Sequence, residues 1–458
     1  MAHNWKKTAV LTVGGVTATY VASISPALSV LTVLGMLPAL YWAEEGGEDN
    51  DEVAPDNGFF PNLAQPSFIP SVQPPLKQSS LGMQIKFGTD AASGHGVIWQ
   101  PNNTAVTLNT NTGIIGTMGT GKTQFTKSVV YQMVNNKDNK GNIGFLIIDY
   151  KSDYVDSQFV TATQAKVFKL HRLPYNPLSL FGDMPMLPVH TAAGFTDTMG
   201  RAFNLGQKQR LRLQNAVIRC YEAAGIHADK PQTWGNLAPT IADLWEVFTS
   251  TDPAPEEDSL YAALSKLASF QIFEPDAVAV QSLYALVSGA VVVEVAGYPP
   301  DVQNLVVGLT LDLFYAQMQR HGKPSVSGDF RQITKMILVD EADNFMSQNY
   351  PSLRKILKEG REYGVGLILS TQFLSHFKSE TDSYSDYILT WIVHKVSNIN
   401  AQGIAATFNV AEKAEQQSLM NEIRKLEKHC SLYINGQKEI TRLHDLPFFQ
   451  IAKNRENI

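Results

Sequence analysis

The chain has 458 residues, of which 44% are hydrophobic and 17% are charged, and its formal net charge is −6. This length and composition indicate a globular protein with room for two or three domains. The negative charge excludes attraction of nucleic acid by a general basic field, so any such contact must come from a local patch or an assembled pore. Cys220 and Cys430 match no metal-binding spacing and indicate free thiols in a reducing compartment.

The first element is a segment with no charged residue and no histidine, from residue 8 to residue 43. One membrane helix needs about 20 apolar residues, so this segment is too long for one upright span. Ser25-Pro26 lies near its middle and suits a turn. The sequence therefore predicts a transmembrane helical hairpin with arms at about 8–24 and 27–43.

Charge placement predicts how this hairpin is oriented. Lys6 and Lys7 precede it and favour a cytoplasmic N-terminus, residues 1–7. Two spans then return the chain to the cytoplasm, which predicts a protein of the inner (cytoplasmic) membrane. The segment is too long for a cleaved signal peptide. A hairpin buried in the protein core stays open as the alternative, since each arm is short for a span.

Residues 44–80 differ sharply from the segment before them. Seven acidic residues occur between residues 44 and 56, and prolines recur from Pro55 to Pro75. This composition predicts a poorly structured, semi-extended linker. The simplest role for it is a solubilising spacer.

A glycine-rich stretch then fits the pattern G-x-x-x-x-G-K-[ST] of a nucleotide-binding phosphate loop. The apolar pair Ile114-Ile115 precedes it and can end a strand, and the run 124–134 after it lacks glycine and proline and can form a helix. Backbone N–H groups at such a turn attract phosphate. Lys122 is predicted to reach the β- and γ-phosphates of ATP, and the Thr123 hydroxyl to ligate Mg²⁺. The residues of the stretch are Gly116, Thr117, Met118, Gly119, Thr120, Gly121, Lys122 and Thr123.

The remainder predicts an α/β body interrupted by helices. Residues 143–148 form a continuous apolar run, which suits a parallel strand covered on both faces, and 335–339 and 365–369 are predicted to be further strands. Residues 181–270 are helical in pattern and are predicted to form an all-α insertion. The core would thus consist of a first part, 81–180, and a second part, 271–458. Strands that alternate with helices favour a mostly parallel sheet.

Asp340 and Glu341 directly follow the strand 335–339. The carboxyl ends of strands are where α/β sheets bind ligands, so this pair is the natural partner of the phosphate loop. Asp340 is predicted to hold the Mg²⁺ shell, and Glu341 to orient and deprotonate the attacking water. A surface acidic pair is the alternative.

Gln372 and Arg361 are the other catalytic candidates. Gln372 belongs to the polar end that follows the strand 365–369. Its side chain can position water or sense the γ-phosphate. Arg361 can neutralise charge on a transferring phosphoryl group. The alternatives are local hydrogen bonds for Gln372 and a surface ion pair with Glu359 or Glu362 for Arg361.

Four stretches occur in a fixed order along the chain. They are GTMGTGKT at 116–123, IIDYKSDY at 147–154, MILVDEAD at 336–343 and EGREYGVGLILSTQ at 359–372. This set resembles the HerA/FtsK superfamily of ring-forming motor ATPases, and especially the type IV coupling proteins (TraD-like). The resemblance covers residues 85 to 450. The chain departs from those proteins in its modest size and in lacking an obvious C-terminal DNA-reading domain. The resemblance therefore does not imply that the protein loads onto DNA at specific sequences.

The resemblance implies a RecA-like core, ATP and Mg²⁺ as ligands, a homohexameric ring, and DNA moved through its pore with low sequence specificity. It also implies that Arg361 acts as a finger on the ATP of the neighbouring subunit. Lys151, Lys169 and Arg172 follow strand ends and are candidates for DNA contact, although solvated surface charges suit them better.

Three functions follow from these features. The first is a membrane-anchored ring ATPase that moves DNA in conjugation, segregation or a similar transfer, with DNA-processing proteins as further partners. The second is the ATPase subunit of a DNA-modification or antiviral defence complex. The third is a nucleotide-gated scaffold, in which hydrolysis only resets assembly; a motor should show DNA-stimulated turnover and a scaffold should not.

Overall fold

The computed structural model describes residues 7–13, 16–22, 82–136, 143–251, 253–378, 383–408 and 410–456. The chain divides into two compact units, residues 1–74 and residues 75–458. The linker predicted for 44–80 lies outside the described residues. The subdivision of the second unit at residues 180 and 270 stays a prediction.

In the first unit, the helix predicted for residues 8–24 is wrong. Strands β1 (Lys7–Val13) and β2 (Val16–Ala22) pair antiparallel there, with Val13 opposite Val16. Both segments are rich in valine and threonine, which favour strands, and the Gly-Gly dipeptide between them in the sequence is a hairpin signal. The helix predicted for 27–43 lies outside the described residues. Among the described helices, none combines the length and the apolar character that a bilayer span requires.

The strands of the second unit are short and mostly buried. In chain order they are β3 (Ile85–Asp90), β4 (Gly96–Trp99), β5 (Thr112–Ile115), β6 (Gly144–Asp149), β7 (Lys166–Lys169), β8 (Ala290–Glu294), β9 (Val326–Ser327), β10 (Phe330–Arg331), β11 (Lys335–Val339), β12 (Val365–Thr371), β13 (Thr390–Val393), β14 (Cys430–Ile434) and β15 (Ile440–Asp445).

Most of the described helices of this unit follow β7 in the chain. In chain order they are α1 (Lys122–Val134), α2 (Ser157–Thr163), α3 (Leu187–Ala202), α4 (Gln207–Ala223), α5 (Ile241–Thr249), α6 (Ser259–Phe270), α7 (Leu283–Leu286), α8 (Pro300–His321), α9 (Asp343–Met346), α10 (Pro351–Glu359), α11 (Ala401–Phe408), α12 (Lys413–Lys425) and α13 (Phe448–Glu456).

One eleven-stranded sheet organises the described part of the second unit, in the order β4-β3-β15-β14-β13-β5-β12-β11-β6-β8-β7. The strands from β13 to β7 in this order are all parallel, and the four at the other end join antiparallel. The predicted α/β class with a mostly parallel sheet is therefore confirmed.

The central strands of the sheet are predominantly apolar and are buried on both faces. In β6, Leu146 and Ile148 join one core cluster, whereas Phe145 and Ile147 join the other. Successive side chains of a strand point to opposite faces, so an uninterrupted apolar run supplies both cores. Helix α1 packs in the second cluster through Phe125, while the helices between β7 and β8 pack in the first. Because the strands from β13 to β7 run parallel, their carboxyl ends lie along one edge of the sheet.

Candidate active site

The phosphate loop connects β5 to α1 at this edge. Gly119 and Gly121 have φ angles of 76° and 116°, in the left-handed region that favours glycine. Met118 at the loop tip is 76% exposed, and the Thr120 hydroxyl donates to the carbonyl of Thr117 at 2.8 Å. The chain thus adopts the turn that the spacing of glycines predicts, and α1 begins directly at Lys122.

Lys122 is a buried cation held by the loop itself. Its Nζ donates to the carbonyl oxygens of Gly116 and, at 3.4 Å, of Thr117. Burial lowers the pKa of Lys122, although the charges of Asp340 and Glu341 act in the opposite direction. Neutral carbonyls are weak partners for a buried ammonium group compared with an ionised acceptor. An anion in the loop would therefore compete well for Lys122.

The carboxylate of Asp340 lies at the carboxyl end of β11 and is buried. Its two oxygens accept from the Tyr154 hydroxyl at 3.2 Å and from the backbone N–H of Glu341 at 3.0 Å. Burial raises the pKa of Asp340. A bound cation would favour the ionised carboxylate and offset that effect.

Glu341 is the best-connected of the predicted catalytic residues. Its carboxylate accepts from Gln372 Nε2 at 2.9 Å and from Lys151 Nζ. Burial alone would raise the pKa of Glu341, but these two hydrogen bonds, together with the positive charges of Lys151 and Lys122, outweigh the effect of burial and lower the pKa. The backbone of Glu341 has φ 51°, an unusual value for a residue other than glycine and one that recurs at functional positions.

Sheet order explains why Gln372 reaches Glu341. Strand β12 lies between β5, which leads into the phosphate loop, and β11, which leads into Asp340 and Glu341. Gln372 directly follows β12. The structure therefore brings Lys122, Asp340, Glu341 and Gln372 together at one edge, as the sequence predicts for these four residues.

The residues present fit a Mg²⁺ ion that binds together with a nucleotide. Thr123 supplies a hydroxyl, which lies 3.5 Å from Asp153 Oδ2, and Asp340 supplies a carboxylate. Mg²⁺ prefers hard oxygen ligands and usually takes one or two carboxylates plus substrate phosphates. Among the described residues, no cluster of three or more His, Cys, Asp or Glu side chains suits a metal.

The loop after β6 contributes residues that the sequence analysis did not assign to the site. Asp149 holds this loop by accepting backbone N–H groups of Lys151 and Asp153 at 3.1 Å and of Tyr154 at 2.8 Å. The Tyr154 hydroxyl then joins Thr126 of α1, at 2.5 Å, to Asp340. The sequence feature that could have indicated these residues is the polar run at the carboxyl end of a buried strand.

The three basic candidates for DNA contact have different surroundings. Lys151 pairs with Glu341, and Arg172 pairs with Glu274 at 2.8 Å. Lys169 is exposed at the end of β7. Lys151 therefore belongs to the candidate active site.

Arg361 is the one predicted catalytic residue that the structure does not bring to this edge. It lies in the 3-10 turn Gly360–Tyr363, just before β12, whereas Gln372 follows the far end of that strand. A seven-residue strand is about 20 Å long, so Arg361 is at the opposite edge of the sheet. Its carbonyl accepts from Arg331 Nη1 at 3.3 Å. Within one subunit, Arg361 is too far away to contact a phosphate at Lys122.

Solved structures share this architecture. VirB4 of Thermoanaerobacter pseudethanolicus aligns with a TM-score of 0.62 at 15% identity, over 82% of this chain and 99% of that chain. The bacterial conjugative coupling protein TrwBdeltaN70 aligns with a TM-score of 0.50 at 12% identity, over 79% of this chain and 89% of that chain. No protein-family model matches the chain, and no curated protein matches its sequence.

At these identities the likeness establishes the fold. VirB4 and the conjugative coupling protein TrwBdeltaN70 share the fold of this chain, so the resemblance drawn from the four motifs is confirmed at the level of fold. The chain has the fold and the motif set of a P-loop ATPase.

Proposed function

We propose that this protein is a ring-forming ATPase with a RecA-like core that couples ATP hydrolysis to DNA movement. The observation that carries the proposal is the meeting of four groups at one sheet edge. Lys122, Asp340, Glu341 and Gln372 come from three neighbouring parallel strands, and Gln372 Nε2 contacts Glu341 Oε2 at 2.9 Å. This set supplies phosphate binding, a metal ligand, a general base and a group that positions water.

Each residue has a separate task in hydrolysis. Lys122 exchanges its loop carbonyls for phosphate oxygens and neutralises their charge. Glu341 stays ionised because of Lys151 and Gln372, so it can accept a proton from the attacking water. Thr123 and Asp340 would hold Mg²⁺, which neutralises charge on the phosphates when bound.

DNA as the partner and a homohexamer as the assembly rest on two lines of support. The fold is shared with VirB4 and with a conjugative coupling protein. Arg361 lies about 20 Å from the site of its own subunit, which suits an arginine that completes the site of a neighbour. A ring provides such neighbours at every interface.

Membrane attachment is the next part of the proposal, and it rests on composition alone. The segment 8–43 has no charged residue, and we propose that it holds the protein at the inner membrane with the ATPase in the cytoplasm. We expect the full chain to fractionate with membranes and to resist extraction with salt, and a variant lacking residues 1–74 to be released. A full chain found wholly in the soluble fraction would refute the attachment.

DNA-stimulated turnover separates a motor from a nucleotide-gated scaffold. We expect ATP hydrolysis by the full chain to rise several-fold with single- or double-stranded DNA, and Lys122→Ala to remove nucleotide binding and turnover in both conditions. Phosphate release measured over a DNA titration provides the readout. A rate of ATP hydrolysis that does not change with either form of DNA would favour the scaffold.

A further inference from the structure

A turn before β14 contacts the phosphate loop on the side away from the catalytic carboxylates. The backbone N–H of His429 donates to the carbonyl of Thr120 at 3.0 Å, and His429 has φ 61°. A Cβ at Gly121 would lie 2.7 Å from Nδ1 of His429, so the glycine allows the imidazole to approach the loop closely. This Nδ1 atom is buried and has no hydrogen-bond partner among the described residues.

A second aromatic ring stands beside this imidazole. The centroids of the Phe449 and His429 rings are 5.5 Å apart, with 67° between the ring planes. The backbone N–H of Phe449 donates to Gln124 Oε1 at 3.2 Å, which ties the start of α13 to the first turn of α1. Both rings are only half-buried, so a flat ligand can reach them.

Sheet order fixes where these rings stand relative to a bound nucleotide. Asp340, Glu341 and Gln372 follow β11 and β12, on one side of β5. His429 precedes β14, which lies on the other side of β5 beyond β13. The phosphate under attack must face Glu341, so the other end of the nucleotide leaves the loop toward His429.

We propose that His429 and Phe449 form the nucleobase site beside Gly121, in which the base stacks on the face of one ring and meets the other ring with its edge. The proposal rests on the proposed function, because it assumes a nucleotide in the phosphate loop. Stacking on aromatic side chains tolerates different bases, since every base has a π face. Burial, with a smaller contribution from Lys428, lowers the pKa of His429 and so favours the neutral imidazole.

A purely structural role for the two rings makes a different prediction. If they only brace the phosphate loop, their loss weakens every ligand of the loop by the same factor. If they hold the base, their loss weakens ATP and spares a ligand that has phosphates and no base. Inorganic tripolyphosphate is such a ligand.

The experiment compares the Kd values of ATP and tripolyphosphate for the full chain with Mg²⁺ present, by calorimetric titration. We expect Phe449→Leu, which keeps apolar volume and loses the ring, to weaken ATP about tenfold or more and to leave tripolyphosphate unchanged. His429→Ala should behave in the same way. Phe449→Trp should retain ATP affinity, and its fluorescence should change with ATP and not with tripolyphosphate.

Equal weakening of both ligands, or no weakening of either, would overturn the base site. Retained tripolyphosphate binding also shows that a variant is folded. Failure of the proposed function looks different: the wild-type chain would then bind neither ligand, or Lys122→Ala would bind both as well as the wild type does.

Discussion

Glu341→Gln is expected to bind ATP with near wild-type affinity and to lose hydrolysis by roughly 10²- to 10⁴-fold. The amide keeps the size of the side chain beside Gln372 and Lys151 but cannot take a proton from water. Asp340, Thr123 and Lys122 are unchanged, so metal and phosphate binding persist. Equilibrium nucleotide binding and steady-state phosphate release, measured on the same preparation, separate the two effects.

Glu294→Gln is the matched control for this loss. Glu294 ends β8 at the same edge of the sheet, and its carboxylate accepts from the Ser152 hydroxyl. The Glu294→Gln substitution removes the same charge at a position outside the catalytic group, so turnover should remain close to wild type. Hydrolysis by Glu341→Gln at the wild-type rate would show that another group is the base.

Arg361→Ala is expected to bind ATP normally and to hydrolyse it on the order of 10³-fold more slowly. Arg361 lies at the edge of the sheet opposite Lys122, so it can stabilise charge only on the ATP of another subunit. The segment that presents it is braced by Arg331, which donates to the carbonyl of Arg361 at 3.3 Å. Arg442→Ala, which removes an exposed arginine from β15, is the control and should keep its activity.

Mixing two inactive variants tests whether Arg361 acts in trans. Subunits with Arg361→Ala retain Lys122, and subunits with Lys122→Ala retain Arg361. In mixed rings, some interfaces pair an intact Lys122 site with an intact arginine, so part of the ATPase activity should return. No recovery in rings shown to be mixed, for example by two fluorescent labels, would contradict action across the interface.

The parallel strands are predicted well from the sequence because each can be recognised by its own apolar composition. No knowledge of which strand pairs with it is required. Continuous apolar runs such as 143–148 and 336–339 suit strands that are buried on both faces, and the structure has strands Gly144–Asp149 and Lys335–Val339 there. The phosphate loop and the pair Asp340-Glu341 follow from motif and position. Their proximity follows because parallel strands end at a common edge.

Other features depend on contacts between distant residues, which one sequence does not reveal. Strand β15 is polar and half-exposed, and it is a strand because β14 and β3 pair with it on either side. Tyr154 reaches Asp340 across 186 positions of sequence, and no periodicity marks such a contact. In residues 8–22, apolar length suggested a helix, whereas valine and threonine content around Gly14-Gly15 matches the observed hairpin.

ATP-driven movement along DNA is the central claim, and displacement of streptavidin from end-biotinylated DNA tests it most directly. The assay uses the full chain with Mg²⁺ and free biotin as a trap, on single- and double-stranded substrates. We expect the wild type to accelerate release when ATP is supplied, and Glu341→Gln to give only the spontaneous rate. Release at the spontaneous rate on both substrates, while the wild type hydrolyses ATP in the same tube, would contradict a DNA motor.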